Sequence, residues 1–191
     1  MITQKENIEQ YNDSISIMEI IGYLLIFFTL SLSFNYSQIA LALPYFICLF
    51  RASTWDYRNR VVPSYILVSI FLLSIIASDK TVIDAVKDGF LYMGFVFILN
   101  QAAEIYIDFK YPDNNNTTLI GDGDIPIIGS IGALFSLEVG SSCMILSLLI
   151  VFAIGLISKQ REIAFIPALF TSISIHYTFN QIISAYIQNI Y

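Results

Sequence analysis

Charged side chains are scarce in this chain of 191 residues. Only 13% of the residues are Asp, Glu, Lys or Arg, against about 25% in an ordinary soluble domain. The nine lysines and arginines form no basic cluster larger than Arg58-Asn59-Arg60. Nucleic-acid binding, which needs a concentrated basic surface, is therefore not expected.

Metal-binding residue types are also few. The single histidine, His176, has no Cys or Asp at ligand spacing, and the two cysteines, Cys48 and Cys143, lack a CxxC pattern. We interpret His176 as a helix-packing residue and the cysteines as small apolar side chains in the interior. The sequence therefore predicts neither a metal nor a cofactor.

Apolar residues are abundant instead, at 57% of the chain. A helix needs roughly 20 residues to cross a hydrocarbon layer of about 30 Å, and lipid-exposed segments must be helical to satisfy their backbone hydrogen bonds. We therefore expect an all-α, multi-pass helix bundle in the cell membrane, with about six to seven transmembrane helices and the lipid bilayer as a partner. The apolar segments are residues 17–34, 38–54, 61–78, 85–107, 120–137, 141–157 and 163–187.

The N-terminus does not resemble a cleaved signal sequence, because its first 17 residues are polar and include Glu6, Glu9 and Asp13. We predict a polar cytoplasmic N-terminus over residues 1–16 and a retained transmembrane helix over 17–36. The apolar run after Asp124 is short, so its helix is expected to begin before Asp124.

The distribution of lysine and arginine predicts the orientation, because loops rich in these residues stay in the cytoplasm. With seven crossings and a cytoplasmic N-terminus, seven basic residues lie inside and only Lys80 and Lys87 lie outside. This arrangement places Asp56 and the stretch 121–124 on the same cytoplasmic side, although they are far apart in sequence.

Two aspartates close together tend to share one proton near neutral pH. The ionised carboxylate can then take a proton from water while the protonated one polarises a peptide carbonyl. Asp56 and Asp124 are the candidates for such a pair, although each could also be a solvated loop charge or a helix cap. Gly121 and Gly123 leave room beside Asp124 for an extended substrate, and Pro167 lies early in the last helix on the same side.

These residues together resemble the type IV prepilin peptidases and the archaeal preflagellin peptidases, over roughly residues 45–185. Those families have an aspartate followed by a basic stretch and Val-Pro or Ile-Pro, matched by Asp56 and the residues up to Pro63. They also have Gly-x-Gly-Asp before a glycine-containing helix, matched by residues 121–124 with Gly129 and Gly132. A proline-containing stretch near the last helix is matched in part by residues 165–169, which lack the glycine before Pro167.

The resemblance implies that residues 37–191 are a transmembrane aspartyl peptidase domain with Asp56 and Asp124 as its catalytic pair. It also implies that Gly121, Asp122, Gly123, Pro63 and Pro167 support the site or bind substrate. Substrates would be precursors of pilin-like or archaellin-like subunits, cut after a short basic leader at the cytoplasmic face. The chain lacks the four-cysteine zinc module and any glycine-rich methyl-donor site of many bacterial relatives, so we expect cleavage without N-methyltransferase activity.

Two alternatives remain open. Presenilin and signal-peptide peptidase also have Gly-x-Gly-Asp, and their Pro-Ala-Leu motif matches residues 167–169. In that group the two aspartates lie on consecutive helices, whereas two apolar segments separate Asp56 from Asp124 here. An ion-coupled or proton-coupled transporter is the non-enzymatic alternative, although the internal repeat usual in such proteins is not visible.

Overall fold

A computed structural model describes residues 36–110, 121, 123–158 and 164–188, together with Gly22, Leu24 and Ile26. Every regular element within these residues is an α-helix, which confirms the all-α prediction. The predicted N-terminus 1–16, most of the helix predicted over 17–36, Asp122 and residues 159–163 lie outside the described residues. The helices are α1 (Tyr36–Asn59), α2 (Ser64–Ala77), α3 (Val82–Lys110), α4 (Asp124–Leu134), α5 (Leu137–Ser158) and α6 (Ile166–Gln188).

The turn between α1 and α2 is short and sharply defined. Arg60 has a φ of 57° and is the only described residue other than glycine with a positive φ. Its N–H donates to the Asp56 carbonyl at 2.9 Å and closes the end of α1. Pro63 then precedes the first residue of α2, and its carbonyl accepts a hydrogen bond from the Ile66 N–H at 3.0 Å. The two helices are thereby held close together at this end.

The short helix α4 lies at the centre of the bundle. All of its residues from Ile127 to Leu134 are buried, and it packs most extensively against α3 and α2. Two glycines allow this close approach: a Cβ added at Gly132 would lie 2.7 Å from the Asp88 carbonyl oxygen, and one at Gly129 would meet the Met93 side chain. The core therefore depends on the absence of side chains at these positions.

The beginning of α4 differs from the prediction. The helix starts at Asp124 rather than before it, with Gly123 at the N-cap position. The cause is a turn in which the Asp124 N–H donates to the Gly121 carbonyl at 2.9 Å. The helix has 11 residues and is therefore only about 16 Å long.

The other end of α4 is held by the segment between α2 and α3. The Lys80 ammonium donates to the Gly132 carbonyl at 2.9 Å and to the Phe135 carbonyl at 2.7 Å, and it pairs with Asp88 at 2.6 Å. The Ser78 hydroxyl donates to the Ala133 carbonyl at 2.8 Å. These bonds satisfy carbonyls at the C-terminus of the helix, where a positive charge is favourable.

The exterior is strongly apolar. Within the described residues one helix, over Leu137–Ile157, is long and apolar enough to cross a membrane, and only 17% of its most apolar window is buried. The core helix of a soluble protein passes the same test but is mostly buried. Large exposed apolar residues also occur on other helices, among them Leu72, Ile76, Phe95, Ile98 and Phe109.

The cysteines and the histidine are placed as follows. Cys143 is buried, as predicted, whereas Cys48 is only half-buried, because its side of α1 is not fully covered. His176 Nε2 lies 2.8 Å from the Ser142 hydroxyl, which joins α6 to α5 in agreement with a helix-packing role.

Candidate active site

Asp56 lies in the last turn of α1, with 9% of its surface exposed. Its Oδ2 accepts a hydrogen bond from the backbone N–H of Ile166, the first residue of α6, at 3.2 Å. Burial raises the pKa of Asp56 above its ordinary value, while the Ile166 N–H and the charge of Arg60 act in the opposite direction. The ionised form of Asp56 thus has two stabilising partners.

Asp124 is the first residue of α4, and Gly123 holds the N-cap position. Burial raises its pKa to about 7, and the negative charge of Asp56 adds to this effect, while a backbone hydrogen bond from Gly121 opposes it. A Cβ added at Gly121 would lie 3.5 Å from Asp124 Oδ2. The loop therefore passes close beside the carboxyl group.

Both aspartates line the same pocket, which has a volume of about 260 Å³. The electrostatic effect of Asp56 on Asp124 is consistent with this proximity, since such effects weaken with distance. The structure thus brings together two carboxyls that are separated by two helices in the chain. The pocket is lined by Asp56, Arg60, Val61, Val62, Gly121, Gly123, Asp124 and Ile166.

The supporting residues predicted from the sequence occupy different places. Gly121 and Gly123 line the pocket. Pro63 follows the pocket residue Val62 and stands at the N-terminus of α2, while Pro167 follows Ile166 in the first turn of α6. Both prolines therefore adjoin pocket residues, and Asp122 is not among the described residues.

Sequence reasoning missed the Ile166 backbone N–H, which is the hydrogen-bond donor to Asp56. A weak signal was present, because proline is common in the first turn of helices and the first N–H groups of a helix have no partners within it. Pro167 thus marked a helix start with free donors. The sequence could not show that Asp56 lies opposite that start.

In the described part of the chain, no group of three or more His, Cys, Asp or Glu side chains converges. The chemistry that the pocket offers is proton transfer between two carboxyls in different environments. In comparisons with family models, with curated proteins and with solved structures, none was found to match this chain.

Proposed function

We propose that the protein is a membrane-embedded aspartyl endopeptidase that removes a short basic leader from pilin-like or archaellin-like precursors. The observation that carries the proposal is the shared pocket of Asp56 and Asp124, in which burial and, to a smaller extent, the charge of Asp56 raise the pKa of Asp124. Paired carboxyls with separated pKa values are suited to acid and base roles in one reaction.

The surroundings of the two carboxyls suggest which one holds the proton. Burial raises the pKa of Asp56, but its ionised form is favoured by the hydrogen bond from the Ile166 N–H and by the charge of Arg60. Burial and the charge of Asp56 raise the pKa of Asp124 to about 7, which favours its protonated form below that pH. In the proposed reaction Asp56 takes a proton from the attacking water, while Asp124 donates a hydrogen bond to the scissile carbonyl. Asp56 then returns the proton to the departing nitrogen.

The apolar exterior supports a location in the cell membrane. Contiguous exposed apolar surface is rare on soluble monomers, yet α5 exposes large apolar side chains along much of its length, including Leu148, Leu149, Phe152 and Ile157. The multi-pass bundle of six to seven crossings is part of the proposal; among the described helices, α5 is the one that is long and apolar enough to cross a membrane by length and composition. The distribution of lysine and arginine favours a position of the pocket at the cytoplasmic face.

The shape of the pocket rim suits an extended peptide. Val61 and Val62 lie in the non-helical segment between α1 and α2, and the lining residues Gly121 and Gly123 have no side chains. Backbone groups are thus accessible at the rim, and main-chain hydrogen bonds are the usual means of holding an extended peptide. The basic leader and the lack of methyltransferase activity follow from the resemblance described above.

The proposal is tested with the purified full-length chain and a pilin-type precursor in mixed lipid and detergent. We expect Asp56→Asn and Asp124→Asn each to abolish leader removal, measured by mass spectrometry, because an amide cannot exchange the proton. Asp84→Asn is the matched control, since Asp84 is exposed in the first turn of α3 and bonded to Thr81. Substantial cleavage by either of the first two variants would contradict the assignment.

A further inference from the structure

A second cavity of about 280 Å³ adjoins the C-terminal end of α1 and does not include either pocket aspartate. Four of the residues that line it, Arg51, Thr54, Trp55 and Arg58, stand at positions i, i+3, i+4 and i+7 of α1. Residues at this spacing lie on one face of a helix. Asn59 and Ile66 complete the wall.

The cavity is electropositive. Two of its lining residues are arginines and none is acidic. Among the described residues, Arg51 makes no side-chain hydrogen bond or ion pair, although its carbonyl accepts the Thr54 hydroxyl at 2.9 Å. The C-terminal end of a helix carries only about half a negative charge. The full positive charge of the Arg51 guanidinium outweighs it, so the lining of the cavity favours an anion.

The lining chemistry favours phosphate in particular. A guanidinium presents paired N–H donors that match two phosphate oxygens, and the Asn59 amide is a further donor group on the wall. Trp55 is exposed to 40%, and tryptophan is enriched where a membrane meets water. We propose that this cavity binds the phosphate group of an anionic membrane lipid.

This inference rests on the membrane location in the proposed function, but not on the aspartyl chemistry. Basic pockets between membrane helices on the cytoplasmic side are suited to anionic head groups. Ile66 belongs to α2 and the other lining residues to α1. A bound head group would therefore contact both helices beside the turn that leads into the aspartate pocket.

The test uses the purified chain in detergent at low ionic strength, titrated with phosphatidylglycerol, phosphatidylcholine or inorganic phosphate. We expect phosphatidylglycerol to raise the thermal unfolding midpoint, and the other two to raise it far less at equal concentration. Arg51→Gln should weaken the apparent affinity about fivefold, and Arg51→Gln with Arg58→Gln about 30-fold. These values follow from about 1 kcal/mol for each basic residue near an anionic lipid.

Lys110→Gln is the matched control, because Lys110 is an exposed cation at the end of α3 that does not line the cavity. It should bind phosphatidylglycerol like the wild type, and circular dichroism should show unchanged helix content in all variants. An equal loss in Lys110→Gln would overturn the proposal, because the effect would then be one of net charge. An equal shift with inorganic phosphate or phosphatidylcholine would also overturn it. Loss of precursor cleavage in Asp56→Asn with normal lipid binding would separate this site from the catalytic proposal.

Discussion

The Tyr45 hydroxyl and the Ser130 hydroxyl lie 3.0 Å apart in the interior and join α1 to α4, the helices that carry the two aspartates. The Ser130 hydroxyl also lies 2.6 Å from the Ile127 carbonyl and donates its hydrogen there. The Tyr45 hydroxyl is therefore the donor to Ser130. The pair fixes α1 against α4 about two turns of α4 away from Asp124.

This direction of the hydrogen bond predicts unequal effects of the two single substitutions. Ser130→Ala leaves a buried hydroxyl on Tyr45 without an acceptor and should lower the free energy of unfolding by about 1–3 kcal/mol. Tyr45→Phe removes the donor while Ser130 keeps its bond to Ile127, so about 0.5–1.5 kcal/mol is expected. The double variant should lose less free energy of unfolding than the two single variants lose together. Thermal unfolding in detergent measures all three, and a larger loss in Tyr45→Phe would reverse the assigned donor.

Lys80→Met tests the support at the C-terminal end of α4. The substitution removes the ammonium from two carbonyls and from Asp88, and a loss of about 1–3 kcal/mol in the free energy of unfolding is expected. Lys87→Met is the control, because Lys87 is an exposed residue on α3. Equal stability of the two variants in chemical unfolding would show that water replaces the ammonium without cost.

Glycine-to-alanine substitutions in the core and on the surface should have opposite signs. Gly132→Ala places a methyl group against the Asp88 carbonyl and the Tyr92 ring, so we expect a loss of about 1–3 kcal/mol from overpacking. Gly94→Ala meets no atom within 4 Å and should stabilise α3 by up to about 1 kcal/mol. The thermal unfolding midpoints of both variants measure these effects. A gain in stability in both variants would contradict the close packing of α3 against α4.

The pKa of Asp124 predicts a pH-dependent stability. In the unfolded chain this carboxyl titrates near its ordinary value of 3.8, and in the folded chain near 7. The folded state binds the extra proton between these values, so the free energy of unfolding should fall as the pH rises from about 4 to about 7. Asp124→Asn should lack this contribution. If the free energy of unfolding depended on pH in the same way in the wild type and in Asp124→Asn, a raised pKa of Asp124 would be excluded.

Arg60 provides a test of the acid limb of cleavage. The charge of Arg60 lowers the pKa of Asp56, so Arg60→Gln should raise that pKa and move the acid limb to higher pH. The alkaline limb, set by loss of the proton from Asp124 near pH 7, should move little. Arg60→Lys keeps the charge and should retain the wild-type acid limb. A profile of leader removal against pH that is unchanged in Arg60→Gln would show that Arg60 does not act on Asp56.

The sequence predicted much of the helix pattern, because long apolar runs leave few alternatives to a helix. The prediction was wrong at the start of α4. The first residue of that helix is determined by the turn in which the Asp124 N–H donates to the Gly121 carbonyl, and the apolar pattern does not reveal this hydrogen bond. Within the pocket, Asp56 and Asp124 were named from their neighbours in sequence. The Ile166 N–H was not predicted, because every residue type except proline has a backbone N–H. Its role follows only from the packing of α6 against α1.

At position 60, the residue that best suits the left-handed backbone differs from the residue that best suits the proposed cleavage reaction. Glycine adopts this conformation without steric cost, whereas other residues lose about 1–2 kcal/mol. A screen of position 60 for heat resistance alone should therefore enrich glycine, and a screen for leader removal near the lower end of its pH range should enrich cationic residues. A form selected for both heat resistance and leader removal would therefore keep Arg60 and gain its stability at other positions.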